Sequence, residues 1–289
     1  MKILVTGVKG QLGHEVYSNL VQTEHEVVGA DIGEMDITDR ADVKEFFRKF
    51  KPDAVIHCAA WTAVDAAEDL ENRAKVFAVN YDGTKNIAEQ CKELDCKMLY
   101  ISTDYVFNGK GNTPWKADCQ EFEPLNIYGE SKLKGERAVC GLLKKFFIVR
   151  IAWLFGLNGN NFVNTMLKVG KTHDFVRVVN DQIGTPTYCA DLVKLLVEMI
   201  QTDKYGYYHA TNEGGFISWF DFTKEIFRQA GIKTKVIPVS TREYGLSKAS
   251  RPFNSRLDKS KLSENGFTRL PDWKDALRRY LAELGNGTD

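Results

Sequence analysis

The first thirteen residues leave few folds open to this chain. Ile3-Leu4-Val5 is a short, continuous apolar run, the pattern of a strand buried on both faces of a parallel sheet. Gly7-Val8-Lys9-Gly10-Gln11-Leu12-Gly13 follows at once and leads into a helix with Leu12, Val16, Leu20 and Val21 inward. Glycine is needed where a backbone turns tightly and where a phosphate must come close. The helix amino terminus then offers free N–H groups and a positive dipole end to that phosphate. A glycine-rich loop alone is weak evidence. Set between an amino-terminal strand and a helix, as Gly7, Gly10 and Gly13 are here, it points to dinucleotide binding.

The next segments continue in the same style. His25 to Asp31 supplies a second strand ending in an acid, the expected place for a carboxylate on a ribose 2′-hydroxyl. Ile32, Gly33 and Glu34 follow and none is basic, so a 2′-phosphate would meet repulsion. NADH is therefore favoured as cofactor, while Lys9 in the loop leaves NADPH open. Asp36-Ile37-Thr38-Asp39 is a polar loop and an N-cap for a helix from Arg40 to Phe50, and Asp36 or Ile37 also suits a place beside the adenine. Ala54 to Ala60 is a third buried strand ending in small residues, which would let a cofactor lie close. On that strand His57 reads as a buried, hydrogen-bonded side chain rather than a catalyst. A long helical stretch from about Ala74 to Leu94 contains Asn80, and Phe146–Ile151 is a further buried strand. Repeated βα units of this kind predict a doubly wound parallel sheet of the Rossmann type.

Chemistry concentrates between Tyr100 and Lys132. Lys97 to Ile101 reads as a buried strand, with Ser102 and Thr103 just past its carboxyl end, where ligands bind in open α/β sheets. Pro124 to Lys132 opens a helix on which Tyr128 and Lys132, at i and i+4, share a face. A phenol is a sluggish acid at neutral pH, and an adjacent ammonium favours the phenolate and lowers its pKa. The Ser102 and Thr103 hydroxyls would hold a carbonyl oxygen while Tyr128 delivers the proton. Tyr-x-x-x-Lys occurs three times, at Tyr81/Lys85, Tyr128/Lys132 and Tyr244/Lys248. Only the second follows a strand ending in Ser-Thr, and that setting singles it out.

After Ile151 the βα rhythm stops. Turn-rich segments such as Asn158-Gly159-Asn160-Asn161 and Asp181 to Thr187 alternate with helices near Phe162–Lys171, Cys189–Gln201, Phe220–Ala230 and after Trp273. Residues 1–152 are thus expected to form the dinucleotide-binding unit, with a helical return near 185–205. Residues 153–289 are expected to form mainly a smaller α+β substrate-binding region, with Gly285–Asp289 frayed. A basic residue near an anionic substrate group is expected, and Arg251 is the candidate, against a purely structural arginine.

Charge and composition narrow the partners. The formal net charge is zero, which argues for neither nucleic acid nor an anionic membrane. No run approaches the roughly 18 apolar residues of a membrane span, and the apolar start is too short for a secretion signal. The six cysteines form no Cys-x-x-Cys pair, so they read as reduced thiols of a cytoplasmic protein without a metal site.

With these residues in hand, the chain resembles the extended short-chain dehydrogenases/reductases and, within them, the dTDP-4-dehydrorhamnose reductases. The resemblance runs over nearly the whole chain. It is carried by the glycine loop, Ala60-Trp61-Thr62-Ala63-Val64-Asp65, Ser102-Thr103-Asp104-Tyr105-Val106-Phe107 and Tyr128-Gly129-x-Ser131-Lys132. The Trp153 segment, Asp181-Gln182-x-Gly184-x-Pro186-Thr187 and Arg251-Pro252-x-Asn254-Ser255-x-Leu257 complete it. The resemblance implies NAD(P)H-dependent reduction of the 4-keto group of a nucleotide sugar, dTDP-4-dehydro-6-deoxy-L-mannose, to dTDP-L-rhamnose. It implies Tyr128 as proton donor, Lys132 on the nicotinamide ribose, and Thr103 at the carbonyl. Thr103, Asp104 and Trp153 match substrate contacts of the family, and Gly10, Gln11, Leu12, Asp36, Ile37, Ala60, Trp61 and Thr62 match cofactor contacts. No metal is expected, and the protein is expected to be a monomer or homodimer. Two other readings stay open: a nucleotide-sugar epimerase or dehydratase, and a non-catalytic dinucleotide-binding regulatory subunit. Dehydratases need an Asp-Glu pair after the threonine, whereas Tyr105 follows Asp104 here.

Overall fold

The computed structural model describes residues 1–286. In chain order the first half runs β1 (Lys2–Thr6), α1 (Gln11–Leu20), β2 (Glu26–Ala30), α2 (Arg40–Phe50) and β3 (Ala54–His57). It continues with α3 (Leu70–Phe77), α4 (Thr84–Glu93), β4 (Lys97–Thr103), α5 (Ile127–Leu142) and β5 (Phe146–Ile151). Asp39 caps α2 by accepting hydrogen bonds from the Ala41 and Asp42 amides. The single helix expected from about Ala74 to Leu94 is three segments in line, because a π-helical turn at Ala78–Gly83 joins α3 to α4.

The second half contains β6 (Leu154–Phe155), α6 (Phe162–Gly170), β7 (Phe175–Val179), β8 (Ile183–Gly184), β9 (Thr187–Tyr188) and α7 (Cys189–Ile200). Then come β10 (Gly206–His209), β11 (Ile217–Ser218), α8 (Trp219–Gln229), β12 (Lys235–Val239), α9 (Thr241–Tyr244), α10 (Ser260–Glu264) and α11 (Trp273–Asn286). The expected fraying from Gly285 is not seen at Gly285 and Asn286, which α11 includes; 287–289 lie outside the described residues.

Six strands form the central sheet in the order β2-β1-β3-β4-β5-β10, every neighbouring pair parallel. Side chains alternate across it with the strand's period of two. Ile3, Val5, Ile56, Leu99 and Val149 pack toward α1 and α7 on one face. Leu4, Val55, Met98, Tyr100 and Ile148 pack toward α2, α4 and α5 on the other. Burial on both faces is why these strands are continuous apolar runs. The smaller half has its own core, in which Phe155, Tyr188, Phe222, Trp273 and Tyr280 meet. Its β7 and β12 form a parallel pair apart from the main sheet.

The chain passes from β1 to β2 on one side, and β3 lies on the other side of β1. This is a topological switch point, and a crevice opens there beyond the strands' carboxyl ends. Gly7 makes it possible with φ +72°, a value that side chains rarely tolerate. A Cβ on Gly7 would lie 2.7 Å from the Ala59 backbone, and one on Gly13 would lie 2.1 Å from the Gly7 carbonyl oxygen. The first turn of α1 can sit against the loop only with hydrogen at position 13. Gly13→Ala should therefore destabilise the fold by about 1–3 kcal/mol, the usual scale of overpacking. It should also weaken NADH binding; thermal melting and NADH fluorescence titration read the two effects, and an unchanged melt with wild-type affinity would contradict this packing.

Candidate active site

A cavity of about 920 Å³ occupies the crevice and runs along the carboxyl ends of the strands. Its wall includes Gly7, Gly10, Gln11, Leu12 and Gly13 from the loop and first turn of α1. Asp31, Asp36 and Ile37 line it beyond β2, and Ala60, Trp61 and Thr62 beyond β3. At the far end stand Thr103, Asp104, Tyr128, Lys132 and Trp153. One continuous space thus joins residues as far apart in sequence as Gly7 and Asn160. Arg251 is not part of that wall.

At the glycine-loop end, Asp31 accepts hydrogen bonds from the Lys9 amide at 3.0 Å and the Ile32 amide at 2.9 Å. Glu34 accepts one from the Asp31 amide, and the Lys9 ammonium lies 4.0 Å from the Glu34 carboxylate. Asp36 holds its own turn by accepting from the amide and hydroxyl of Thr38. The carboxamide of Asn80 clamps Trp61: its Oδ1 accepts from the Trp61 amide and its Nδ2 donates to the Trp61 carbonyl. The same Nδ2 donates to Ser131 on α5. Asn80 thus ties the cavity wall to the helix that carries Tyr128, and it does so from the π-helical turn. No role for Asn80 follows from the sequence, although an asparagine inside a helical stretch, where it is a poor helix former, is a usable signal. His57 is buried between the hydroxyls of Thr6 and Thr84, as expected. Burial and the nearby Lys132 charge push its pKa down to about 3, so the imidazole is neutral at ordinary pH.

At the other end β4 runs two residues further than the sequence suggests, through Thr103. Ser102 and Thr103 are therefore successive strand residues with opposed side chains. This corrects the expectation that both hydroxyls hold a carbonyl. Ser102 donates to the buried Glu136 carboxylate at 2.5 Å. Thr103 alone is placed with the phenol, where its hydroxyl interacts with Tyr128 and donates to Asp104 at 3.0 Å. Helix α5 begins at Asn126, whose side chain accepts from the Gly129 amide, while Glu68 accepts from the Ile127 amide. These contacts fix the first turn, and Tyr128 packs edge-on against Tyr105 with ring centroids 5.6 Å apart.

The electrostatics differ from the simple picture of an ammonium acidifying a phenol. Burial and the Asp104 carboxylate push the Tyr128 pKa up, and only the Thr103 hydroxyl pulls it back. Desolvation wins because the site is enclosed. Lys132 is buried, and its ammonium sits 4.0 Å from the centroid of the Tyr100 ring. Burial lowers its pKa to about 7, and Glu136 opposes that shift. Burial also raises the Asp104 carboxyl to about 6.

Trp153 closes the far end of the cavity. It holds φ +52°, uncommon for a bulky residue, and its ring stacks on Trp219 with centroids 3.7 Å apart. Trp219 carries no motif that would single it out in the sequence. The Arg251 guanidinium is engaged elsewhere, with the Asp65 carboxylate at 2.5 Å and the Tyr105 hydroxyl at 3.1 Å. In this arrangement it joins segments behind the wall, the structural alternative considered for it.

Known proteins of similar sequence and fold point to one family. A family model described as the RmlD substrate binding domain matches residues 1–286. The spore coat polysaccharide biosynthesis protein SpsK of Bacillus subtilis is 38% identical, covering 100% of this chain and 99% of its own length. A dTDP-4-dehydrorhamnose reductase of Streptomyces griseus is 39% identical over 97% of this chain and 93% of its own. A solved structure of such a reductase from Clostridium acetobutylicum is 42% identical with a TM-score of 0.94, covering 99% of this chain and 100% of that one. Another from Bacillus anthracis, in complex with NADP, is 41% identical with a TM-score of 0.93, covering 98% of this chain and 99% of that one. UDP-glucose 4-epimerase of Thermus thermophilus shares the fold at 19% identity and a TM-score of 0.83. By the family match and by this identity over its full described length, the chain belongs to the RmlD family, the dTDP-4-dehydrorhamnose reductases.

Proposed function

We propose that this reductase converts the 4-keto group of dTDP-4-dehydro-6-deoxy-L-mannose to the alcohol of dTDP-L-rhamnose, with Tyr128 as proton donor. The observation that carries this reading is the meeting of Thr103, Tyr128 and Lys132 on one wall of the cavity whose other end is the glycine loop. The loop fits a dinucleotide: glycines that no side chain could replace leave its backbone open at the amino terminus of α1. Bound there, the nicotinamide dinucleotide supplies the hydride for the carbonyl carbon.

The chain's own residues handle the oxygen. Thr103 hydrogen-bonds the carbonyl and orients it toward Tyr128. Burial and Asp104 keep the Tyr128 phenol protonated, so it has a proton to give as negative charge builds on the oxygen. Lys132, one helical turn on, holds the ribose and offsets the phenolate left behind. Trp153, stacked on Trp219, packs beside the sugar and keeps water from the reacting carbon. Removing the phenolic hydroxyl should cost at least roughly 10²-fold in kcat, the scale of a lost general acid. Tyr128→Phe is compared with wild type by NADH oxidation at 340 nm on this ketosugar, with NADH affinity read separately by fluorescence. Equal rates in the two proteins would remove Tyr128 from the mechanism.

We further propose that NADH is preferred and NADPH is accepted. Asp31 and Glu34 face the position of a ribose 2′-substituent, and Lys9 is the cation beside them. A free 2′-hydroxyl donates to Asp31, whereas a 2′-phosphate meets two carboxylates and one lysine. Asp31→Ala should lower the ratio of kcat/KM for NADH to that for NADPH by about tenfold, corresponding to about 1.4 kcal/mol. Steady-state kinetics with both cofactors checks this, and an unchanged ratio would place the discrimination elsewhere.

A further inference from the structure

Behind the reacting groups lies a buried ion pair that the mechanism above does not use. Tyr128, Lys132 and Glu136 stand at i, i+4 and i+8 of α5, hence on one face. Glu136 and Arg150 are fully enclosed and meet as a two-pronged fork, Nε to Oε1 at 2.8 Å and the second nitrogen to Oε2 at 2.7 Å. Ser102, at the end of β4, donates to the same Oε1. The guanidinium lies on the β5 side of the carboxylate, donating to the Ala117 carbonyl and flanked by the rings of Phe107, Phe122 and Tyr207. The pair is thus oriented, with its negative end toward α5.

A buried ion pair is weak evidence for stability, because apolar replacement is often neutral or favourable. Its carboxylate stands one helical turn from Lys132 on the same face of α5, which gives the pair another reading. The titratable groups around Lys132 are Tyr128 and Glu136 on its own helix, His57 and Cys58 at the end of β3, and Tyr100 on β4. His57 and Cys58 are both held neutral by burial. Glu136 is therefore the carboxylate that supports the ammonium.

We infer that Glu136 is a positioning residue for the Tyr128–Lys132 pair: held by Ser102 and Arg150, its carboxylate keeps Lys132 charged at the cavity wall. This inference rests on the reductase reading, in which Lys132 works as an ammonium. Lys132 is pulled down to about 7 by burial, and Glu136 is the largest influence in the other direction. The sign of the effect follows. The ammonium is present below its pKa and is lost as pH rises through it, so Lys132 sets an alkaline limb of kcat/KM. Without the Glu136 charge that limb moves to lower pH.

The test is the pH profile of kcat/KM for Glu136→Gln and for Glu136→Gln/Arg150→Met, the second of which leaves no unpaired guanidinium buried. Both should shift the alkaline limb down by about one pH unit, roughly tenfold in rate on that limb, and Glu136→Asp should restore most of it. The limb position is the readout, whatever the height of the plateau. A folded variant of either kind with its limb at the wild-type pH would overturn the inference. Failure of both to fold would overturn it too, by assigning the pair to the fold alone. Wild type that turns over no ketosugar would sink the reductase reading instead, and the pH dependence of NADH affinity, which also depends on a charged Lys132, would then carry the same comparison.

Discussion

Helix α5 can present its catalytic face only because it packs almost backbone to backbone across the end of β4. A Cβ on Gly135 would fall 2.3 Å from the Tyr100 hydroxyl and 2.6 Å from the Asn80 carbonyl oxygen. One on Gly129 would fall 2.3 Å from the Tyr105 carbonyl oxygen. Close packing at these two points fixes how deep α5, and with it Tyr128 and Lys132, sits against the cavity. Asn80 and Glu68 hold the same helix from the side of β3, through Ser131 and the Ile127 amide. The Trp61 wall of the cavity and the helix that carries Tyr128 are in this way tied together through Asn80.

That enclosure decides the charge states. In water an ammonium near a phenol would dominate; here the cost of desolvation is larger and acts on both. The phenol stays protonated and the ammonium becomes easy to neutralise. The arrangement suits a reductase, because the donor must hold its proton until an oxyanion forms. It also explains why the neighbouring carboxylates matter more than their number suggests. Asp104, with one oxygen bound to Thr103 and the other buried without a well-formed hydrogen bond, acts on Tyr128. Glu136 acts on Lys132. Each acid is seated next to the group whose proton it helps to retain.

The sheet, the glycine loop and the Tyr128–Lys132 face were legible in the sequence because each is local. An apolar run, a spacing of three or four residues and an acid at a strand end are patterns within a short window. Ser102 was misjudged because the strand was ended two residues early: in a loop both hydroxyls can turn to one point, whereas within a strand they oppose, and only the pairing of Thr103 with Ile151 fixes the end of β4. The sixth strand, β10, was not recognised. Its four residues are Gly-Tyr-Tyr-His rather than a β-branched run, and only its alignment on β5 makes it a strand. Asn80 and Trp219 act through partners 19 to 66 residues away, Trp61, Ser131 and Trp153, so no local window holds their signal.

The Trp153 end of the cavity and the segment around Arg251 depend on such distant contacts. The segment from Lys248 to Arg251 is fastened to the first half by Lys248 on Asp69, the Ala249 amide on Asp65, Asn126 on the Ser250 carbonyl and Arg251 on Asp65. Exposed ion pairs of this kind add little stability one by one. Together they set where Tyr105 lies, since Arg251 also donates to its hydroxyl, and Tyr105 in turn packs on Tyr128. Sequence change in the 248–251 segment can therefore reach Tyr128 without touching the sheet. The glycine-loop end of the cavity is fixed by backbone packing, whereas the 248–251 segment is held by side-chain contacts that sequence change can alter more freely.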